Sequence, residues 1–68
     1  MSIARVTEII ASSSRSFEAA IEDGIDRANK TLKNVQGAWV QSQKVECGDD
    51  GKIKEYRVNM KVTFVLKG

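Results

Sequence analysis

The stretch Tyr56-Arg57-Val58-Asn59-Met60-Lys61-Val62-Thr63-Phe64-Val65-Leu66 constrains this chain most. Every even position is apolar, and every odd position up to Thr63 is polar. That is the period of a β-strand with one buried and one wetter face. Eleven residues make a long strand against the usual ~5–6. Such a strand needs partners on both edges, yet only 57 of the 68 residues lie outside it. The chain is therefore expected to complete its fold by meeting copies of itself.

Size sharpens that expectation. A chain of 68 residues is one domain, 1–68. Domains this small bury only about 60% of their unfolded surface and usually need a disulfide, a metal or oligomerisation. Cys47 is the only cysteine and there is no histidine, so neither an internal disulfide nor a zinc-type spacing is available. Self-association is left by elimination. The net charge of +2 comes from 11 basic and 9 acidic residues, well mixed and without a basic run. That argues against nucleic acid as a partner. The longest uncharged stretch, Asn34 to Gln43, is short and polar, so no membrane span is expected. The N-terminus has no signal-peptide pattern, and a reduced, cytoplasmic setting is the default expectation.

Ile3 to Ala11 reads as a first strand with apolar residues on both faces. Ser12-Ser13-Ser14 breaks the pattern and offers hydroxyls to the free N–H groups of a helix start. Glu18 follows where the helix dipole favours an anion. Phe17, Ala20, Ile21, Ile25, Ala28 and Leu32 recur in steps of three and four, which predicts an amphipathic helix ending near Lys33 or Asn34. Gly24 lies on the same stripe, where its use is close helix–sheet contact. Gln36-Gly37 is expected to turn the chain into a second strand, Ala38 to Cys47. Gly48-Asp49-Asp50-Gly51 then predicts a tight turn joining that strand to the long one in an antiparallel hairpin. The order is β-α-β-β, an α+β subunit. A right-handed crossover makes the first two strands parallel, with the third between them in the order 1-3-2.

The turn decides which side of the sheet Trp39 occupies. A two-residue Asp50-Gly51 turn would put Trp39, Gln41 and Gln43 under the helix. A three-residue loop, Asp49 to Gly51, sends Ala38 and Val40 to the core and Trp39, Gln41 and Gln43 to the outer face beside Arg57 and Asn59. The second is preferred, because burying two glutamines beneath one small helix is costly.

Catalytic constellations are missing: there is no His, no Cys–His pair and no phosphate-cradling loop. An enzyme is not expected. Trp39, the only tryptophan, is either a stacking platform for a flat ligand or an anchor in a subunit interface. Arg57 either binds an anionic ligand group or pairs with a neighbouring subunit's carboxylate, such as Glu46 or Glu55. Cys47 reads as a small strand-end residue. Asp49, Asp50 and Glu46 are oxygen donors for a hard cation, without an EF-hand pattern.

The ordered set of stretches resembles the dodecin family. It comprises Arg5-Val6-Thr7-Glu8-Ile9, Ser12-Ser13-Ser14 with Ser16-Phe17-Glu18-Ala19-Ala20, Ile25-Asp26-Arg27-Ala28, Asp50-Gly51-Lys52 and Tyr56 through Phe64. The resemblance implies a hollow homododecamer that stores or buffers flavins, pairs of which stack between symmetry-related aromatic side chains. The family's stacking tryptophan falls at Gly37 here, with Trp39 two residues later on the same face. The glutamine that hydrogen-bonds the ring edge falls at Arg57. A second branch that carries Arg there is linked to calcium. The expected binding set is Gly37, Trp39, Gln41 and Arg57, for a flavin (riboflavin or FMN) or a similar flat aromatic molecule. Arg57 would favour FMN at least as much as riboflavin. The alternative is a non-flavin structural cage stabilised by calcium or another cation.

Overall fold

The computed structural model describes residues 3–66. Strand β1 (Ile3–Ser13) leads into helix α1 (Phe17–Thr31), followed by β2 (Val35–Cys47) and β3 (Ile53–Leu66). The sheet order is β1-β3-β2, and both outer strands run antiparallel to β3. The expected α+β, β-α-β-β architecture with the long strand in the centre is therefore what forms. The molecule is elongated, 53 × 19 × 14 Å.

The alternation in β3 does what its period dictates. Val58, Met60 and Val62 are fully buried on the helix side, while Arg57 and Lys61 on the other side are exposed. Ala20, Val58 and Met60 form the core cluster, with Ile9, Ala11, Phe17, Ile21 and Ile25 packed against it. Each large apolar side chain buried this way stabilises the fold by about 1.5–3 kcal/mol. Phe17 is only half-buried; its ring meets Tyr56 edge-on at 5.2 Å. Gly24 serves close approach as expected. A Cβ there would lie 2.7 Å from Met60 Cε and 2.9 Å from the Ala11 Cβ.

The connections differ from expectation in two places. Ser12 and Ser13 do not start the helix but extend β1, opposite Arg57 and Tyr56. The cap is Ser16, whose Oγ accepts the Ala19 N–H at 3.0 Å. Four serines within five residues gave local chemistry no way to choose, and the pairing of β1 with β3 chose instead. The helix stops at Thr31, and the chain turns at Asn34 rather than at Gln36-Gly37. Asn34 adopts φ 63°, a left-handed conformation that Asn tolerates. It is clamped to β3 by its carbonyl, which accepts the Val65 N–H at 3.1 Å, and by its side-chain amide, which donates to the Val65 carbonyl at 3.3 Å.

The hairpin uses the three-residue loop. Gly48 N–H donates to the Lys52 carbonyl, Gly51 N–H donates to the Gly48 carbonyl, and Gly51 takes φ 78°. That is a type I turn closed by a left-handed glycine. The ladder beyond it is not regular. Cys47 faces Ile53 but Glu46 faces Glu55, so Lys54 is an extra residue on β3. Ser42 faces Asn59 but Val40 faces Met60, so Gln41 is an extra residue on β2. A further irregularity falls at Gln36. Trp39 therefore sits on the outer face as expected, opposite Lys61, whereas Gln43 faces Val58 and belongs to the helix side. Its expected place on the outer face is taken by Ser42 and Lys44.

Candidate functional site

The outer face of the sheet is built of rungs, with one residue from each strand as far as β1 extends. From one end they read Val6–Thr63–Gly37, Glu8–Lys61–Trp39, Ile10–Asn59–Ser42, Ser12–Arg57–Lys44, and finally Glu55–Glu46. Trp39 is 60% exposed, and a Cβ added to Gly37 beside it would meet nothing within 4 Å. Together they leave one flat, open aromatic surface. Val6 and Ile10 add exposed apolar area on β1.

Gly37, Trp39 and Arg57 do share this face, but one chain does not bring all three together. Arg57 lies two rungs from Trp39, about 13 Å along the strand. Gln41 is the extra residue of the bulge between the Trp39 and Ser42 rungs.

The charged end of the face is internally paired. Arg57 Nη2 and Nε both donate to Glu55 Oε1, at 2.6 and 3.2 Å. Lys44 Nζ lies 2.9 Å from Glu46 Oε2. Each strand thus carries its own ion pair, with cation beside cation and carboxylate beside carboxylate across the ladder. The hydrogen bond from Lys44, then its charge, holds the Glu46 carboxyl below its ordinary value. The hydrogen bond to Glu55, then the Glu55 charge, raises Arg57 further. Arg57 therefore pairs with a carboxylate of its own strand.

A hollow of about 160 Å³ lies beside these pairs, lined by Ile10, Ser42, Lys44, Arg57 and Asn59. A larger cleft of about 350 Å³ lies between α1 and β1, lined by Ile9, Ala11, Gly24, Ala28 and Leu32 with Asp23 and Arg27 at its rim. It is separate from the tryptophan.

The hard-cation donors do not gather. Asp50 Oδ1 accepts the Lys52 N–H at 3.0 Å, and Glu46 is engaged by Lys44. Among the described residues no group of three or more His, Cys, Asp or Glu side chains is placed to hold a metal. Cys47 is free and exposed. Among the described residues, no helix is long and apolar enough to cross a membrane.

Sequence reasoning placed Asn59 on the outer face beside Trp39 but gave it no binding role. The one available signal was its position: a polar residue in the middle of the central strand, between two buried apolar ones.

Comparison with known proteins gives a consistent result. The dodecin family model matches residues 3–67. The calcium dodecin of Mycobacterium tuberculosis is 31% identical over 67 residues, covering 98% of this chain and 93% of that protein. The dodecin of Thermus thermophilus is 35% identical over 60 residues, covering 88% and 86%. Among solved structures, the dodecin of Streptomyces davaonensis superposes with a TM-score of 0.93 at 36% identity, covering 98% of this chain and 97% of that one.

Proposed function

This chain belongs to the dodecin family, and from that premise we propose that it is a self-assembling, non-catalytic binding and storage protein for a flavin or a similar flat aromatic molecule. Its working form is a homo-oligomeric cage of twelve copies. Among the described residues, eight large apolar side chains are exposed on the single chain, Val6, Ile10, Val40 and Val45 among them, and they support assembly.

The observation that carries the ligand reading is Trp39. An indole 60% exposed on an open sheet face, with the unfilled space of Gly37 beside it, is a surface on which a planar ring can stack. Gly37, Trp39 and the neighbouring outer-face residues would hold the ring; Gln41 and Arg57 lie at the margin. Arg57 is already met by Glu55, so FMN gains no affinity over riboflavin from its phosphate.

The test is a titration of both ligands followed by flavin fluorescence. Riboflavin fluorescence should be quenched, and Trp39→Ala should remove stacking worth about 0.5–1.5 kcal/mol beyond the lost area. Riboflavin binding indifferent to Trp39→Ala rejects the platform.

A second reading, a cation-stabilised cage without flavin, is favoured by one observation. The sequence match to a protein named calcium dodecin covers as much of this chain as the match to one named dodecin. With no metal-sized donor group among the described residues of one chain, the cation would take ligands from several copies. Binding of neither flavin, together with a melting temperature lowered by EDTA, selects this reading.

A further inference from the structure

The centre of the outer face holds a polar atom that nothing meets. Among the described residues, Asn59 Oδ1 is buried and has no hydrogen-bond partner. A buried acceptor left in this state is costly, and native proteins leave few of them. Asn59 lies on the rung of Ile10 and Ser42, at the floor of the small hollow. That rung adjoins the rung of Trp39, about 7 Å along the strand. The cationic donors around the hollow are turned to carboxylates, and none of them meets Asn59 Oδ1. Lys44 and Arg57 are engaged by Glu46 and Glu55. An acceptor oxygen requires a donor, so an anion entering the hollow would meet a lone pair and two neutralised cations.

We propose that Asn59 is the polar anchor of the outer-face site: its Oδ1 accepts a hydrogen bond from an uncharged N–H or O–H of the ligand stacked on Trp39. This rests on the platform reading above and names the chemistry the ligand must carry. It is a neutral flat heterocycle with an imide N–H at its edge, or with a hydroxylated arm long enough to reach one rung beyond the indole. Riboflavin has both groups. Arg57 is not the anchor, because its rung is the farther one and two of its nitrogens already donate to Glu55.

The experiment compares wild type with Asn59→Leu, a variant of similar shape without the acceptor. Without ligand, Asn59→Leu should melt at the same temperature or higher, since an unmet polar group is removed. With riboflavin, the dissociation constant should rise about three- to tenfold, the worth of one neutral hydrogen bond. If the leucine variant fails to assemble, Asn59→Val suits a strand and takes its place. A ligand-free variant that melts lower shows that Oδ1 already has a partner in the assembled protein, and overturns the inference. Equal riboflavin affinity in wild type and variant overturns it as well, while leaving the platform standing. Riboflavin that fails to bind wild type overturns the platform reading and this inference together.

Discussion

The two ladders flanking β3 are built differently. β1 pairs with β3 in one unbroken register of eleven rungs, from Ile3 opposite Leu66 to Ser13 opposite Tyr56. β2 pairs with the same strand through three irregularities. The helix rests on β1 and β3 and scarcely reaches β2. A strand covered on one side must keep its apolar residues on that side, and a slip of one residue would turn all of them outward. β2 has little cover to lose and can carry extra residues, which bend and twist a strand and re-aim its side chains. One half of the sheet holds the fold together, and the other half carries the exposed indole.

Single-residue deletions should break this contrast most visibly. Removing Glu8 from β1 reverses the facing of every residue on one side of the cut. That should cost several kcal/mol, enough to unfold a domain whose total stability is about 5–15 kcal/mol. Removing Gln41 only takes out the extra residue, leaving Val40 opposite Met60 and Ser42 opposite Asn59. That protein should fold and melt within a few degrees of wild type. Circular dichroism melts of both deletions decide the matter. Equal damage would mean that β2 is as constrained as β1.

Truncation within one rung gives a smaller effect. Met60→Ala should cost about 2–5 kcal/mol in urea unfolding, because Met60 is fully buried. Val40 stands directly opposite on β2 and is 45% exposed; Val40→Ala should cost about 1 kcal/mol. A Val40→Ala cost as large as that of Met60→Ala would show that another copy covers β2 in the assembly.

The smallest effect is electrostatic. The Glu46 carboxyl is held below its ordinary value of 4.5 by Lys44. A lowered folded-state value stabilises the protein above the unfolded value, and that stabilisation fades as pH falls through the folded one. Lys44→Met should therefore lower the melting temperature slightly at pH 7, and by nothing at about pH 2. The pair is exposed, so the shift should also shrink in salt. A difference that persists at low pH would assign it to lost packing by the lysine stem.

The same contrast explains what was legible in the sequence. The β3 alternation, the helix stripe and Gly24 express strong local rules, and strand order followed from them, whereas the three-residue loop follows from the cost of burying glutamines. Trp39 was placed on the correct face. Gln43 was misplaced, because nothing in Glu46-Cys47 or Val40-Gln41-Ser42 announces an extra residue. Bulges arise from how two strands fit, not from either strand alone. The helix cap went to the wrong serine for a similar reason, since pairing of Ser12 and Ser13 with β3 outweighed their use as caps. Asn59 was legible as an outer-face residue, but its lack of a partner depends on three strands meeting around it.

The extra residues Lys54 and Gln41 sit on opposite strands, five rungs apart, and their effects cancel. They act like an insertion and its suppressor in a message: Gly37 through Val40 is read in the phase set at Cys47, Ser42 through Glu46 is read in another, and the irregularity at Gln36 lies beyond the tryptophan. The tryptophan rung is thereby insulated from the turn. Changes between the two bulges can rewrite the charge and hydrogen-bonding character of the outer surface without moving the indole, so a lineage could alter which molecule is held while keeping the surface on which it lies.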